Sequence, residues 1–286
     1  MSAGASRQTL GALQRAMAQR FAQANVATPM LDARVLVCAA AGLSPEQLIM
    51  LENEQVRSRD LKCLLIWGAA RCAGMPVSRL TGRRAFFGLD FDIGPAVLDP
   101  RADTETLVEA ALELMPARAR VLDLGTGSGC VLISVLAHAL DARGLGVDIS
   151  AGALRLARQN AHLHNVRNRI GLRQGSWFSR VSGRFDIIVS NPPYIVRGEI
   201  DHLATEVRAH DPRRALDGGP DGLDAYRDIA VHLRNLLVKN GYFIGEFGIG
   251  QGPAVGQILC AAGLQVIGFR NDMVGRKRCI IARRPD

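Results

Sequence analysis

Aromatic residues are scarce in this chain. Two tryptophans, three tyrosines and nine phenylalanines make up 5% of 286 residues. They never alternate with basic residues in the manner of a surface that stacks on single-stranded nucleic acid. Acidic residues are the minority sign, 27 against 35 lysines and arginines, which leaves a formal net charge of +8. Such a balance suits an acidic partner, a nucleic acid or a protein bound to one, and is equally that of an ordinary basic protein. No uncharged apolar run reaches the roughly 18 residues of a membrane span. The opening stretch MSAGASRQTLGALQ is broken by polar residues and lacks the apolar heart of a signal peptide. Cys38, Cys63, Cys72, Cys130, Cys260 and Cys279 include no C-x-x-C pair, and the histidines form no metal-ligand spacing. A reduced, cytoplasmic, metal-free protein is the expectation.

Apolar residues, by contrast, reach 48%, enough for a sizeable core in one large or two ordinary domains. Up to residue 77 the pattern is helical. Leu10, Leu13, Met17 and Phe21 recur at helix spacing. Thr28-Pro29 and Ser44-Pro45 each offer an N-cap followed by proline, and Ser44 with Gln47 fits a capping box. A further helix is expected from Ser58 to about Cys72, before Pro76. In RRAFFGLDFDIGPAVLDP, alternation around Gly88 predicts a β-hairpin. Asp103 or Thr104 then caps a helix through ETLVEAALEL, with Asp103 the preferred cap. From Arg118 onward short apolar strands alternate with helices, ending in a helix from Leu223 to Lys239, the strand GYFIGEFG, a last helix and two strands. This βαβα order implies a doubly wound, mostly parallel sheet. The expected divisions are a helical domain over 1–77, a hairpin linker over 78–100 and an α/β domain over 101–286.

Within the α/β part, VLDLGTGSG joins the first strand to its helix. Gly125, Gly127 and Gly129 remove side chains where the backbone turns and a ligand can approach the main chain. A tight turn that packs strand on helix would use the same glycines. Asp148 ends the second strand, at the offset where an acidic residue meets ribose hydroxyls. A dinucleotide usually takes G-x-G-x-x-G. Here the spacing is G-x-G-x-G, with Asp123 just before it. A carboxylate there repels pyrophosphate and suits a cationic, amine-bearing ligand, which favours S-adenosyl-L-methionine.

The fourth strand, FDIIVS, stops abruptly at NPPY, Asn191 to Tyr194. Prolines cannot continue a central strand. A planar NH2 group is a poor nucleophile because its lone pair is delocalised. Two oxygen acceptors, the Asn191 side chain and the Pro192 carbonyl, can take its two hydrogens and hold it in place. Tyr194 can stack on the flat group. Positioning of this kind is worth about 7–11 kcal/mol in favourable cases. A carboxylate in place of the amide would face two acceptors with lone pairs, so glutamine is accepted and glutamate rejected. The plainer reading of N-P-P-Y is a proline-rich strand exit.

With these residues in hand, the chain resembles the PrmC/HemK family, methyltransferases that act on glutamine of peptide chain release factors. The resemblance runs over nearly the whole chain, through FFGLDFDIGPAVLDPRADTE, VLDLGTGSG, VSNPPYI, ALDGGPDGLDAYRDI and GRKRCIIARR. N-P-P-Y itself is shared with methyltransferases acting on adenine N6 and guanine N2. The resemblance implies a class I (Rossmann-like) methyltransferase sheet behind a small N-terminal helical bundle that recognises the substrate. It implies that Gly125, Thr126, Gly127, Ser128 and Gly129 line the cofactor, that Asp148 binds its ribose and that Trp177 lies by its adenine. Asn191 would touch both cofactor and substrate, with Pro192, Pro193 and Tyr194 completing the substrate site. Phe87 is placed near cofactor or substrate, or in the core. Arg101, Asp103 and Glu105 fall in a family Pro-Arg-Pro-Asp-Thr-Glu run, whose second proline is Ala102 here. The implied partner is a class I release factor presenting its Gly-Gly-Gln loop to a monomeric enzyme that needs neither nucleic acid nor membrane. A ribosomal-protein glutamine methyltransferase and a nucleic-acid amino-group methyltransferase are the alternatives.

Overall fold

The structure is a computed structural model and describes residues 8–286; the first seven residues of the opening stretch lie outside the described residues. The chain divides into two compact units between Gly82 and Arg83.

The first unit holds helices α1 (Leu10–Gln23), α2 (Pro29–Ala41), α3 (Pro45–Met50), α4 (Ser58–Cys72) and α5 (Val77–Thr81). Leu13, Met17 and Phe21 of α1 form one buried stripe against Ala33, Leu36 and Val37 of α2 and Leu64 of α4. The capping box at Ser44 is complete: the Gln47 amide donates to Ser44 Oγ, and the Ser44 amide donates to Gln47 Oε1. Thr28 does not cap α2. Its hydroxyl donates instead to Asp32 Oδ1 at 2.8 Å. Asp32 needs that support because it is buried, and its other oxygen meets Arg71 Nε of α4 at 2.7 Å. This ion pair ties α2 to α4 inside the bundle.

The second unit opens with the hairpin β1 (Arg83–Phe86) and β2 (Leu89–Asp92). The expected hairpin linker over 78–100 is divided differently here: α5 falls in the first unit and the hairpin in the second. The reason is a clamp on Asp92. Asn160, fully buried on helix α8 (Ala151–Leu163), accepts from the Asp92 amide at 2.8 Å and donates to the Asp92 carbonyl at 2.9 Å. Phe86 and Phe91 enter the same core as helices α6 (Glu105–Leu114) and α7 (Cys130–His138).

Strands β3 (Arg120–Leu124), β4 (Arg143–Asp148), β5 (Ile170–Gln174), β6 (Phe185–Ser190), β7 (Leu237–Glu246), β8 (Gln265–Asn271) and β9 (Lys277–Arg283) form one sheet of order β5-β4-β3-β6-β7-β9-β8. All neighbours are parallel except β9, which runs antiparallel to both β7 and β8. Both faces are covered, as a parallel sheet requires. Side chains of α6, α7 and α8 bury one face; α10 (Asp224–Leu236) and α11 (Gly252–Ala261) bury the other. The short helix α9 (Thr205–Arg208) lies between β6 and α10 in the chain. Helix α10 stops three residues short of the expected Lys239, because Leu237 already pairs with Phe185 of β6. The register then slips before Ile187 meets Tyr242, with Asn240 in the left-handed region at φ 60°.

Removing one member of the buried Asp32–Arg71 pair leaves the other charge without its partner. Arg71→Met is expected to lower the unfolding free energy by about 3–5 kcal/mol, whereas Asp32→Leu combined with Arg71→Met recovers most of that loss. Urea denaturation of the single and double variants checks this.

Candidate active site

Parallel pairing of β3 with β6 sets Leu124 opposite Ser190. The residues that follow, Gly125 and Asn191, therefore emerge side by side at the carboxyl edge of the sheet, where open α/β folds bind ligands. A cavity of about 370 Å³ lies at that edge.

Gly125, Thr126, Gly127 and Ser128 line it. Gly125 and Gly127 sit at φ 74° and 56°, which only glycine adopts without strain. The turn closes through Gly125 and Thr126 amides, both donating to the Val147 carbonyl. Gly129 does not reach the cavity wall. It ends the loop at φ 82°, where a β-carbon would lie 2.7 Å from Ile133 Cδ1; its part is close packing of α7. Asp148 lines the cavity with both carboxylate oxygens engaged, Oδ2 accepting from the Gly127 amide and Oδ1 from the Ser150 amide, each at 2.8 Å. Trp177 lines it too, on a backbone held at φ 42°, and a β-carbon on Gly125 would lie 3.7 Å from its ring.

Asp123 shares the wall and is buried. Its Oδ2 accepts from the Thr126 hydroxyl at 2.6 Å. Burial, with a further push from the Asp148 charge, raises its carboxyl to about 7 against the bond from Thr126.

Of the NPPY run, Asn191 and Pro193 line the cavity; Pro192 is buried and Tyr194 half-buried, and neither is among the lining residues. Asn191 Nδ2 donates to Thr104 Oγ1 at 3.0 Å. Its Oδ1 takes no hydrogen bond among the described residues. The Tyr194 hydroxyl donates to Glu246 Oε1 at 3.0 Å. Burial, then the Glu246 charge, drives the Tyr194 phenol well above its ordinary range. Burial likewise raises Glu246, although Thr104, Tyr194 and Arg278 all favour its charged form.

The NPPY segment is clasped by the loop ahead of α10. The Ile195 amide donates to the Leu216 carbonyl, and the Gly218 amide donates to the Ile195 carbonyl. A β-carbon on Gly218 would lie 2.8 Å from Tyr194 Cα, and one on Gly222 2.4 Å from the Tyr194 carbonyl oxygen. Gln251 completes the clasp, donating to that same carbonyl at 2.9 Å while accepting from the Gly248 amide. The glycines of DGGPDG are thus what allows two backbones to touch.

Sequence reasoning placed two further residues differently, Asp103 and Thr104, and of the two places it left open for Phe87 the structure shows the core. Asp103 does not cap α6; its carboxylate meets Arg278 Nε at 3.2 Å. Thr104 stands at the cap position, but its hydroxyl serves Asn191 instead. Phe87 is not part of the cavity wall. It packs edge-on against His138, and its amide donates to Glu105 Oε1. Arg101 does line the cavity and pairs with buried Asp211 at 2.6 Å. Thr104, Glu246 and Gln251 escaped prediction altogether as site residues. Each acts across a gap of dozens of residues, and a lone Thr, Glu or Gln carries no motif.

Known proteins match both units. The PrmC N-terminal domain model matches residues 12–82 and the methyltransferase small domain model residues 99–219. A crystal structure of a methyltransferase from Pyrococcus furiosus superposes with a TM-score of 0.55 at 16% identity, covering 80% of this chain and all of that one. Sheet order and ligand edge together define a class I methyltransferase fold. A release factor glutamine methyltransferase of Rhodospirillum rubrum is 44% identical over 96% of this chain and 85% of its own. One from Moorella thermoacetica is 40% identical over 97% and 98%. The chain belongs to the release factor glutamine methyltransferase family.

Asp123 titrates in the folded state near neutrality but near 3.8 when unfolded. Its neutral form favours the fold fully below about pH 4, and that contribution is lost as the pH rises through about 7. Relative to Asp123→Asn, the wild type is expected to lose stability across this window, by up to about 1.4 kcal/mol per pH unit, and to run parallel above it. Denaturation midpoints measured from pH 4 to 8 test the slope.

Proposed function

We propose that this protein transfers a methyl group from S-adenosyl-L-methionine to the side-chain amide nitrogen of a glutamine, N5, in the Gly-Gly-Gln loop of class I peptide chain release factors. The observation that carries this reading is the meeting of Asn191 and the glycine loop on one cavity wall.

The wall suits the cofactor. Gly125 and Gly127 open a backbone cradle that β-carbons would narrow. Buried Asp123 brings a carboxylate that no cation of the chain neutralises among its hydrogen-bond partners, and a cationic ligand restores the balance. Asp148 would hold ribose hydroxyls, Trp177 would flank the adenine, and Thr126 and Ser128 would complete the cradle. Gly129 would shape it from behind. When bound, S-adenosyl-L-methionine supplies an electrophilic methyl group on a positively charged sulfur.

What the chain contributes is positioning. Asn191 Nδ2 is committed to Thr104, so Oδ1 is available to accept one N–H of the substrate amide. The Pro192 carbonyl, rigid because proline fixes φ, would accept the other. The substrate carbonyl then faces away from both acceptors, and the nitrogen is held flat. Pro193 forms the wall beside it, and Tyr194, clamped through its hydroxyl and carbonyl, would bear on the group's face. A glutamate in the same place offers no hydrogens to the two acceptors. Unpaired buried polar groups cost about 1–3 kcal/mol each. Flanking glycines in the substrate add no side chains to the loop that must enter the cavity. The helical unit, which matches the PrmC N-terminal domain model, would grip another face of the release factor.

Mass spectrometry of a Gly-Gly-Gln release-factor peptide, after incubation with enzyme and cofactor, is expected to find one added methyl on the glutamine. It should find none on a Gly-Gly-Glu peptide, and DNA or RNA should not compete. Transfer to nucleic acid with no peptide product would refute the proposal. Asn191→Ala should lower turnover about 100-fold or more while calorimetry finds cofactor affinity little changed.

A further inference from the structure

The net charge of +8 is concentrated in one stretch of the chain. From Ala151 to Phe185, 35 residues, there is no Asp, Glu or Lys, yet seven arginines fall between Arg155 and Arg184. The stretch builds α8, β5 and the connection to β6. Among the described residues, none of these arginines lies within ion-pair distance of a carboxylate. Exposed arginines elsewhere do have such partners, as Arg57 with Asp60, Arg197 with Asp217 and Arg270 with Glu113. Arg169 is spent on the backbone, donating to the Ala139 and Ala142 carbonyls, and Arg173 donates to the Arg180 carbonyl. Arg155, Arg158 and Arg167 are exposed and have no hydrogen-bond partner among the described residues.

These cations border a groove. A cavity of about 540 Å³ between α8 and β5 is lined by Arg158, Gln159, His162, Arg167, Ile170 and Leu172. Arg155, Arg158 and His162 are three and four residues apart, so they share one face of α8. No residue of the groove belongs to the wall of the methyl-transfer cavity. Ser150, which caps α8, lines that cavity; Arg158 and His162 lie roughly two to three helical turns further along. Since β5 is the outermost strand of the sheet, a charge on it blunts edge-to-edge pairing. That explains Arg173 and leaves the arginines of α8 unexplained. Like charges gathered without counter-charge repel one another, and an anionic partner relieves them.

The side chains indicate which anion. A guanidinium is a planar fork that matches phosphate oxygens two at a time, and every cation of the stretch is arginine. No aromatic residue lines the groove, so bases find nothing there to stack on, and contact falls on the backbone, independent of sequence. We propose that the groove between α8 and β5 binds the phosphate backbone of RNA. Release factors work on the ribosome, so RNA is the nucleic acid that an enzyme of this family meets beside its substrate. Because groove and cavity are separate, RNA bound in the one leaves methyl transfer in the other unhindered.

Fluorescence anisotropy of a labelled 20-base-pair RNA duplex, titrated with the full-length protein between 50 and 200 mM salt, tests this. The wild type is expected to bind with micromolar affinity at about 50 mM salt, and to weaken steeply as salt rises. The triple variant Arg155→Gln/Arg158→Gln/Arg167→Gln should bind at least about 10-fold more weakly, its log–log salt slope shallower by about one for each arginine removed. Its melting temperature should be unchanged or higher, and its turnover of the Gly-Gly-Gln peptide and its calorimetric affinity for S-adenosyl-L-methionine should match the wild type. A second variant, Arg34→Gln/Lys62→Gln/Arg276→Gln, removes the same charge from exposed positions elsewhere and should keep most of the RNA affinity. Absence of salt-dependent RNA binding by the wild type would overturn the proposal. Equal loss in the two triple variants would overturn it as well, by showing diffuse net charge at work. So would poly-glutamate or phosphatidylserine vesicles bound as tightly as RNA, which would make the groove a seat for an acidic protein or a membrane surface.

Discussion

The site depends on one pairing, that of β3 with β6. The two strands lie far apart in sequence, yet their parallel register ends them level, Leu124 against Ser190. The Ser190 hydroxyl donates to the Leu124 carbonyl at 2.8 Å and stitches the two ends together. A glycine turn leaves one strand and Asn191 leaves the other, so ligand cradle and acceptor are neighbours by construction. A slip by one residue would turn every side chain of β6 to the opposite face. The fully buried run Ile187, Ile188, Val189 makes such a slip costly, because both faces of the strand are packed in core.

Around that pairing, the fold works to hold an irregular segment still. NPPY cannot hydrogen-bond as a strand, and two prolines donate nothing. Its order comes from outside: Thr104 on Asn191, Glu246 on the Tyr194 hydroxyl, Gln251 on the Tyr194 carbonyl and Gly218 against the Tyr194 backbone. Rigid support of this sort is what a positioning mechanism requires, since a group held loosely loses the advantage of being held.

Much of this was legible in the sequence, for identifiable reasons. Short apolar runs mark β3 and β6, β-branched in β6, and the capping box at Ser44 is a local pattern with a local cause. Gly125, Asp148 and Asn191 follow one another in the order a doubly wound sheet demands, so their convergence could be argued before any coordinates. What stayed hidden was long-range. Asp103, with Thr104 as the alternative, looked like a cap because capping is what such residues before a helix usually do; the Thr104 hydroxyl has its partner 87 residues away. The hairpin looked like a linker because nothing near it in sequence announces the Asn160 clamp. The end of α10 was set by pairing of Leu237 with β6, which outweighed helix periodicity. Glu246 sits in an apolar strand as a single acid, and only its surroundings give it meaning.

The central claim is a matter of which atom faces the substrate. A crystal structure with S-adenosyl-L-homocysteine and a Gly-Gly-Gln peptide bound would decide it. The account predicts the glutamine nitrogen within hydrogen-bond distance of both Asn191 Oδ1 and the Pro192 carbonyl, with Asn191 Nδ2 still on Thr104. A glutamine bound elsewhere, or one whose carbonyl oxygen rather than nitrogen meets Asn191, would contradict it.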